Sequence, residues 1–200
     1  MNFKFQFRFV SISTGLLAAL IAVSGCHRGA EGPIGAECLT DTKLVDSSGK
    51  PFQLSTLKGK PVVVDFIYTS CPGPCLMETA KLANVATRLG ADLGAKASIV
   101  SITVDPEHDG PAQLREYAQK QGADEKGWYF LTGSPAEIDT ALAGFKLARQ
   151  REPDGSVAHL VDMVLVGPDG REVKEYNGEA VNPKTIVKDV QDVLGDEKAS

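Results

Sequence analysis

From residue 43 onward the chain alternates between the two-residue rhythm of strands and the three-to-four-residue rhythm of helices. "KLVDSSGKPFQL" reads as two short strands joined by a Ser-Gly turn, an N-terminal hairpin. "GKPVVVDFIY" is a β-branched, nearly continuous apolar run, the pattern of a central strand buried on both faces. The helix predicted next opens near Pro74 and shows Leu76, Ala80, Leu82, Ala83 and Val85 in helical rhythm. "ASIVSITV" is a second central strand, and "GPAQLREYAQKQG" a helix with Pro near its start and Gly at its end. "GWYFLTG" then reads as a strand and "SPAEIDTALAGF" as a capped helix. "LVDMVLVGPDGREVKEY" is an antiparallel hairpin around Pro-Asp-Gly, and "NPKTIVKDVQDVL" a closing helix. Strand and helix in alternation, followed by a hairpin and a helix, imply a parallel α/β core with an antiparallel finish.

The segment before this pattern obeys different rules. "MNFKFQFRFV" carries Lys4 and Arg8, and an uncharged run extends from Val10 to Gly25, the layout of a secretion signal. The run ends "VSGC", which resembles the bacterial lipobox, in which the cysteine is lipidated and becomes the first residue. The other reading is an uncleaved transmembrane anchor, because the run approaches spanning length. Either way the domain is expected outside the cytoplasm, on a membrane. Residues 27–40, "HRGAEGPIGAECLT", are small, Gly-rich and aperiodic, and read as a tether. The expected organisation is therefore a lipoprotein signal peptide over 1–25, lipidated Cys26 and a flexible tether over 26–40, one domain over 41–195, and a polar tail over 196–200.

Composition narrows the function. The formal charge is −5, and removal of residues 1–25 leaves 19 basic against 26 acidic side chains, a net −7. That balance argues against nucleic acid, which rewards a basic surface. An apolar content of 42% suffices for one buried core.

The cysteines carry the candidate chemistry. With Cys26 taken by lipid, Cys38, Cys71 and Cys75 remain, and three thiols cannot all pair within one chain; Cys38 is the odd one. "YTSCPGPCLMET" places Cys71 and Cys75 where the first long strand enters its helix, the thioredoxin arrangement. If Pro74 opens that helix, both thiols sit near its positive end, which is expected to lower their pKa. Two soft thiolates about one turn apart can chelate Cu(I), which accepts two or three ligands. Zinc asks for four protein ligands, or three plus water, and His and Cys are scarce. A redox disulfide and a merely structural disulfide are the other readings of the pair. Of the histidines, His27 adjoins Cys26, and His108 in "VDPEHDG" follows a strand's carboxyl end. His159 in "SVAHLVDMVLV" precedes the hairpin strand, on the loop that faces the cysteine pair in thioredoxin-like folds. Thiol oxidoreductases of that fold keep a cis-proline there; here the nearest upstream proline is Pro153. His159 is the candidate third ligand.

"GKPVVVDFIYTSCPGPC", "SITVDPEHDGPAQLREYAQ", "WYFLTG" and "HLVDMVLVGPDG" together resemble the Sco (SenC) family of copper proteins over about residues 41–195. The resemblance implies a thioredoxin-like α/β fold, a central mixed sheet flanked by helices with an N-terminal hairpin. It implies copper, Cu(I) or Cu(II), on Cys71, Cys75 and His159, and a role in assembling the binuclear copper centre of cytochrome c oxidase. Asp105 and Pro106 match the family's Asp-Pro segment, with Asp105 placed near the metal but not on it. The chain departs from the family's habits at Leu76, where Pro is common, at Gly167, often acidic, and at His108, often basic.

The expected function is thus a membrane-tethered copper metallochaperone on the periplasmic side of a bacterial membrane. Its expected partners are the copper-bearing subunit of cytochrome c oxidase and another periplasmic copper chaperone or thiol reductant. The alternative is a thiol-disulfide reductase in which Cys71 and Cys75 keep a partner's copper-ligand cysteines reduced. A peroxiredoxin-like peroxidase would need a Thr or Ser and an Arg around one cysteine; Thr69 is near, and no Arg is placed there by the sequence.

Overall fold

The computed structural model describes residues 37–71, 73–123, 126–153, 156–158 and 162–196. The predicted signal peptide, Cys26, His27, His159 and the last four tail residues lie outside them. Nine strands and four α-helices are present among the described residues. In order they are β1 (Lys43–Asp46), β2 (Pro51–Gln53), β3 (Val62–Ile67), α1 (Pro74–Leu89), β4 (Ser98–Thr103), α2 (Pro111–Lys120) and β5 (Trp128–Thr132). Then come α3 (Pro135–Gly144), β6 (Gln150–Arg151), β7 (Val157–Ala158), β8 (Asp162–Val166), β9 (Glu172–Asn177) and α4 (Pro183–Asp196).

Seven strands form one mixed sheet in the order β2-β1-β5-β4-β3-β8-β9. β3, β4 and β5 are parallel, as the intervening helices require, and the hairpin β8–β9 adds antiparallel to β3. The N-terminal hairpin closes the other edge, with Val45 opposite Thr132. Every residue of β3 and β4 is buried, which is why β3 reads as a nearly continuous apolar run broken only by Asp65, and why β4 interleaves β-branched residues with small hydroxyl side chains. The helices start where the sequence says. Pro occupies the first turn of α1, α2 and α3. Ser134 and Glu137 cap α3 reciprocally: Ser134 N–H donates to Glu137 Oε2 at 2.8 Å, and Glu137 N–H donates to Ser134 Oγ at 3.4 Å.

Two features were not expected. A separate two-stranded ribbon, β6–β7, pairs Gln150 with Ala158 and Arg151 with Val157 just ahead of the hairpin. The second corrects the tether boundary. Cys38 and Leu39 are completely buried, and their N–H groups donate to the Gly170 carbonyl at 2.8 and 3.2 Å. The domain therefore begins by Glu37. The Gly-rich composition around this apolar pair suggested a loose tether, but what fixes it is a carbonyl more than 130 residues away.

Candidate metal centre

β3 ends at Ile67 and α1 begins at Pro74, so Cys71 lies in the connecting loop and Cys75 is the second residue of the helix. Cys71 N–H donates to the Tyr68 carbonyl at 3.1 Å, closing a tight turn, and Leu76 N–H donates to Gly73 O at 3.1 Å. The turn brings the two sulfurs within hydrogen-bonding reach of each other. Cys71 is 7% exposed and Cys75 is fully covered. Both stand as thiols, as does Cys38.

Burial changes the chemistry of Cys75 from what the helix end alone implies. The Cys75 thiol is pushed well above the ordinary thiol range, first by burial and then by its hydrogen bond with Cys71. At Cys75 desolvation outweighs the helix terminus, contrary to the expectation of a lowered pKa there. Tyr68 touches both sulfurs. Its hydroxyl is bonded to Cys71 and to the main chain of Val157 on β7, and its own main chain is bonded to the Cys75 sulfur. Burial, followed by the neighbouring Cys71, pushes the phenol up to about 12.

The loop after β4 supplies the polar side of the site. Asp105 is buried and bonded to His108 Nδ1 at 2.9 Å and to Arg151 of β6. His108 itself is largely exposed, as a loop histidine, and turns toward Asp105. Asp109, also buried, accepts from Thr69 N–H at 3.0 Å, Thr69 Oγ1 at 2.5 Å and Thr103 Oγ1 at 2.7 Å. Thr69, considered above as a peroxidase group, thus gives its hydroxyl to a carboxylate. Sequence reasoning missed Asp109, Tyr68, Arg149 and Arg151. Only Asp109 left a signal, four residues after Asp105 in the same "DPEHD" turn.

Among the described residues no group of three or more His, Cys, Asp or Glu side chains converges as a metal site. The structure brings Cys71 and Cys75 together; His159, one residue beyond the end of β7, lies outside the described residues. Two adjacent thiols suit a soft monovalent metal, and one further nitrogen donor would complete a trigonal set. The first turn of α1 beside the pair exposes Leu76 (36%) and Met77 (52%). The cavity of about 470 Å³ lined by Lys58, Lys60 and Lys96 flanks the starts of β3 and β4, the edge of the sheet away from the thiols.

Comparison with known proteins places this geometry. The SCO1/SenC family model matches residues 35–195. The SCO1 protein homolog of Bacillus subtilis (strain 168) is 35% identical over 189 residues, covering 91% of this chain and 97% of that protein. Among solved structures, BsSco superposes with a TM-score of 0.69 at 36% identity, over 80% of this chain and 95% of that one. BsSco is described as a member of the Sco family of cytochrome c oxidase assembly proteins with a disulfide switch. Bradyrhizobium japonicum ScoI, solved with copper bound, matches with a TM-score of 0.67 at 28% identity, over 76% and 96% of the two chains.

Proposed function

The chain belongs to the SCO1/SenC family, and from that premise we propose that it is a membrane-tethered copper metallochaperone acting in assembly of the cytochrome c oxidase copper centre. Cys71 and Cys75 hold the cargo and His159 completes the site. Cys26 carries the lipid that keeps the domain on the periplasmic face of a bacterial membrane. The observation that carries the reading is the pair itself, two buried thiols within hydrogen-bonding reach of each other at the carboxyl edge of the sheet. Copper-bound ScoI, a protein of this fold, supports the choice of metal. Lipidation is supported by "VSGC" after an apolar run, and intact mass of the mature protein tests it: an N-terminus other than a diacylglyceryl Cys26 rejects the anchor.

The chemistry follows from the donors. Cu(I) is soft and is satisfied by two thiolates, so the pair alone retains it. Cu(II) prefers a tetragonal set with nitrogen or oxygen donors, and two sulfurs leave it undercoordinated. Titration of both copper states into wild type and His159→Ala tests this. The substitution is expected to weaken Cu(I) binding without abolishing it, and to remove most Cu(II) binding together with the sulfur-to-copper charge-transfer band. Equal copper binding in both proteins, with disulfide turnover lost in the variant, rejects the chaperone and favours the reductase. The contact between the two sulfurs, and the disulfide switch described for BsSco, keep that second reading in play.

A further inference from the structure

The turn Asp105–Asp109 has two hands. Asp109 N–H donates to Asp105 O at 2.8 Å and His108 N–H to the same carbonyl at 3.0 Å, so the two carboxylates project from one rigid turn. One hand reaches the thiol loop. Asp109 binds both the main-chain N–H and the hydroxyl of Thr69, two residues before Cys71, and is itself held by Thr103 Oγ1 at the end of β4. The same Thr103 hydroxyl accepts from Asp105 N–H at 2.9 Å, which ties the two ends of the turn together.

The other hand reaches the β6–β7 ribbon. Asp105 binds Arg151 on β6. Glu107 accepts from Arg149 at 2.9 Å and from Arg151 at 3.3 Å, and Arg149 also binds Asp139 at 2.8 Å and the Val104 carbonyl at 3.3 Å. The Arg149 side chain is only 12% exposed while its partners Glu107 and Asp139 are 38% and 59% exposed, so the pairs fix geometry more than they add energy. Arg151 is opposite Val157 in the ribbon, and Ala158 is the residue before His159.

We propose that the Asp105–Asp109 turn is a yoke, with Asp109 and Arg151 as positioning residues that hold the thiol loop and the ribbon leading to His159 at a fixed separation. The proposal rests on the copper reading for its purpose but not for its mechanics. A carboxylate with three donors around it holds a loop far more tightly than a neutral amide does. Metal ligands are commonly oriented by such outer partners, and their loss typically costs ten- to a hundredfold in affinity. Mechanical coupling is the distinguishing property: loosening one hand loosens the other.

The test uses the soluble domain from Glu37 onward in apo and copper-loaded forms, as wild type, Asp109→Asn, Arg151→Gln and the double variant, with Lys174→Ala as a control. Lys174 pairs with Asp189 on β9 and α4, away from both hands. In the apo protein, Asp109→Asn is expected to speed amide exchange at least tenfold both in residues 68–71 and in residues 150–158. Arg151→Gln, on a partly exposed side chain that leaves the core intact, is expected to do the same in reverse. The double variant is expected to add little to either. With copper loaded, each variant retains Cu(I) but shifts the Cu(II) charge-transfer band and loses at least tenfold in Cu(II) affinity, while Lys174→Ala changes neither. If each substitution loosens only its own segment, or if exchange follows the fall in Tm as in the control, the yoke is rejected. Failure of wild type to take up copper rejects the proposed function instead, and the apo exchange still decides the coupling.

Discussion

Asp65 sits inside the apolar run of β3, between Ser101 of β4 and Met163 of β8, and is completely buried. Neither carboxylate oxygen makes a hydrogen bond of ordinary geometry among the described residues, and Ser101 is only a weak neighbour. Burial therefore pushes its pKa from 3.8 to about 7, and the Ser101 hydroxyl pulls the other way without offsetting it. A carboxyl group whose folded pKa is raised binds its proton more tightly in the native state than in the unfolded one. Its stabilisation is then fully present below pH 3.8, falls as pH rises, and is lost once pH passes about 7. Each pH unit across that window costs about 1.4 kcal/mol, so the whole window is on the order of 4 kcal/mol. The perturbation is Asp65→Asn, which keeps the shape and cannot ionise. Urea unfolding of both proteins at pH 4, 5, 6, 7 and 8 is the assay. Subtraction of the two profiles cancels the other titrating groups. The variant is expected to be the less stable at pH 4, where the acid is neutral and already fits. It should gain on wild type by about 1.4 kcal/mol per unit up to pH 7 and run parallel above it. A difference that stays constant from pH 4 to 8 would refute the reasoning, since it would mean Asp65 holds the same proton in both states.

Other consequences are more local. Cys38, with its thiol pushed up to about 11 by burial, is expected to resist alkylation in the native protein at pH 8. Cys38→Ser should leave copper stoichiometry unchanged while lowering stability by about 1–3 kcal/mol, because a hydroxyl replaces a thiol at a covered site. Copper lost as completely as in Cys71→Ser would overturn that. Gly127 has φ +95° and approaches Gly94, so a Cβ there would meet Gly94 N at 2.3 Å. Gly127→Ala is therefore expected to cost about 3 kcal/mol or more in a denaturation experiment, and a loss under about 1 kcal/mol would show that this close approach is absent in solution. Gly178→Ala forces out the buried Glu78 carboxylate, which lies 1.6 Å from the new Cβ; a change in Tm of several degrees checks it.

How much of this was legible depends on the range of the interaction. β3 and β4 were legible because burial on both faces leaves mostly apolar, β-branched runs, and α1 because within a helix Pro74 is tolerated only in the first turn. The thiol pair was legible because Cys71 and Cys75 are neighbours in sequence as well as in space. β6 and β7 were not, since two residues each carry no period. Cys38 was misread because its partner is the Gly170 carbonyl, and nothing local announces that contact. Asp109 and Arg151 were missed for the same reason, because their partners lie 40 and 46 residues away.

Helix position and burial act on Cys75 in opposite directions, and burial wins. For a cargo site that outcome has a use. A thiol held above the ordinary range keeps its proton at neutral pH, so a metal must displace that proton to bind, and apparent affinity falls accordingly. A site of two fully ionised thiolates would hold Cu(I) more tightly and release it less readily. Under the proposed function, desolvation of Cys75 thus tempers retention. Exposure of Leu76 and Met77 on the adjoining turn leaves apolar surface at the very edge where a partner's ligands would approach. Under the proposed function, a partner that covers that edge would remove water from the exchanging sulfurs, so that ligand exchange would pass the metal between two protein sites without freeing it.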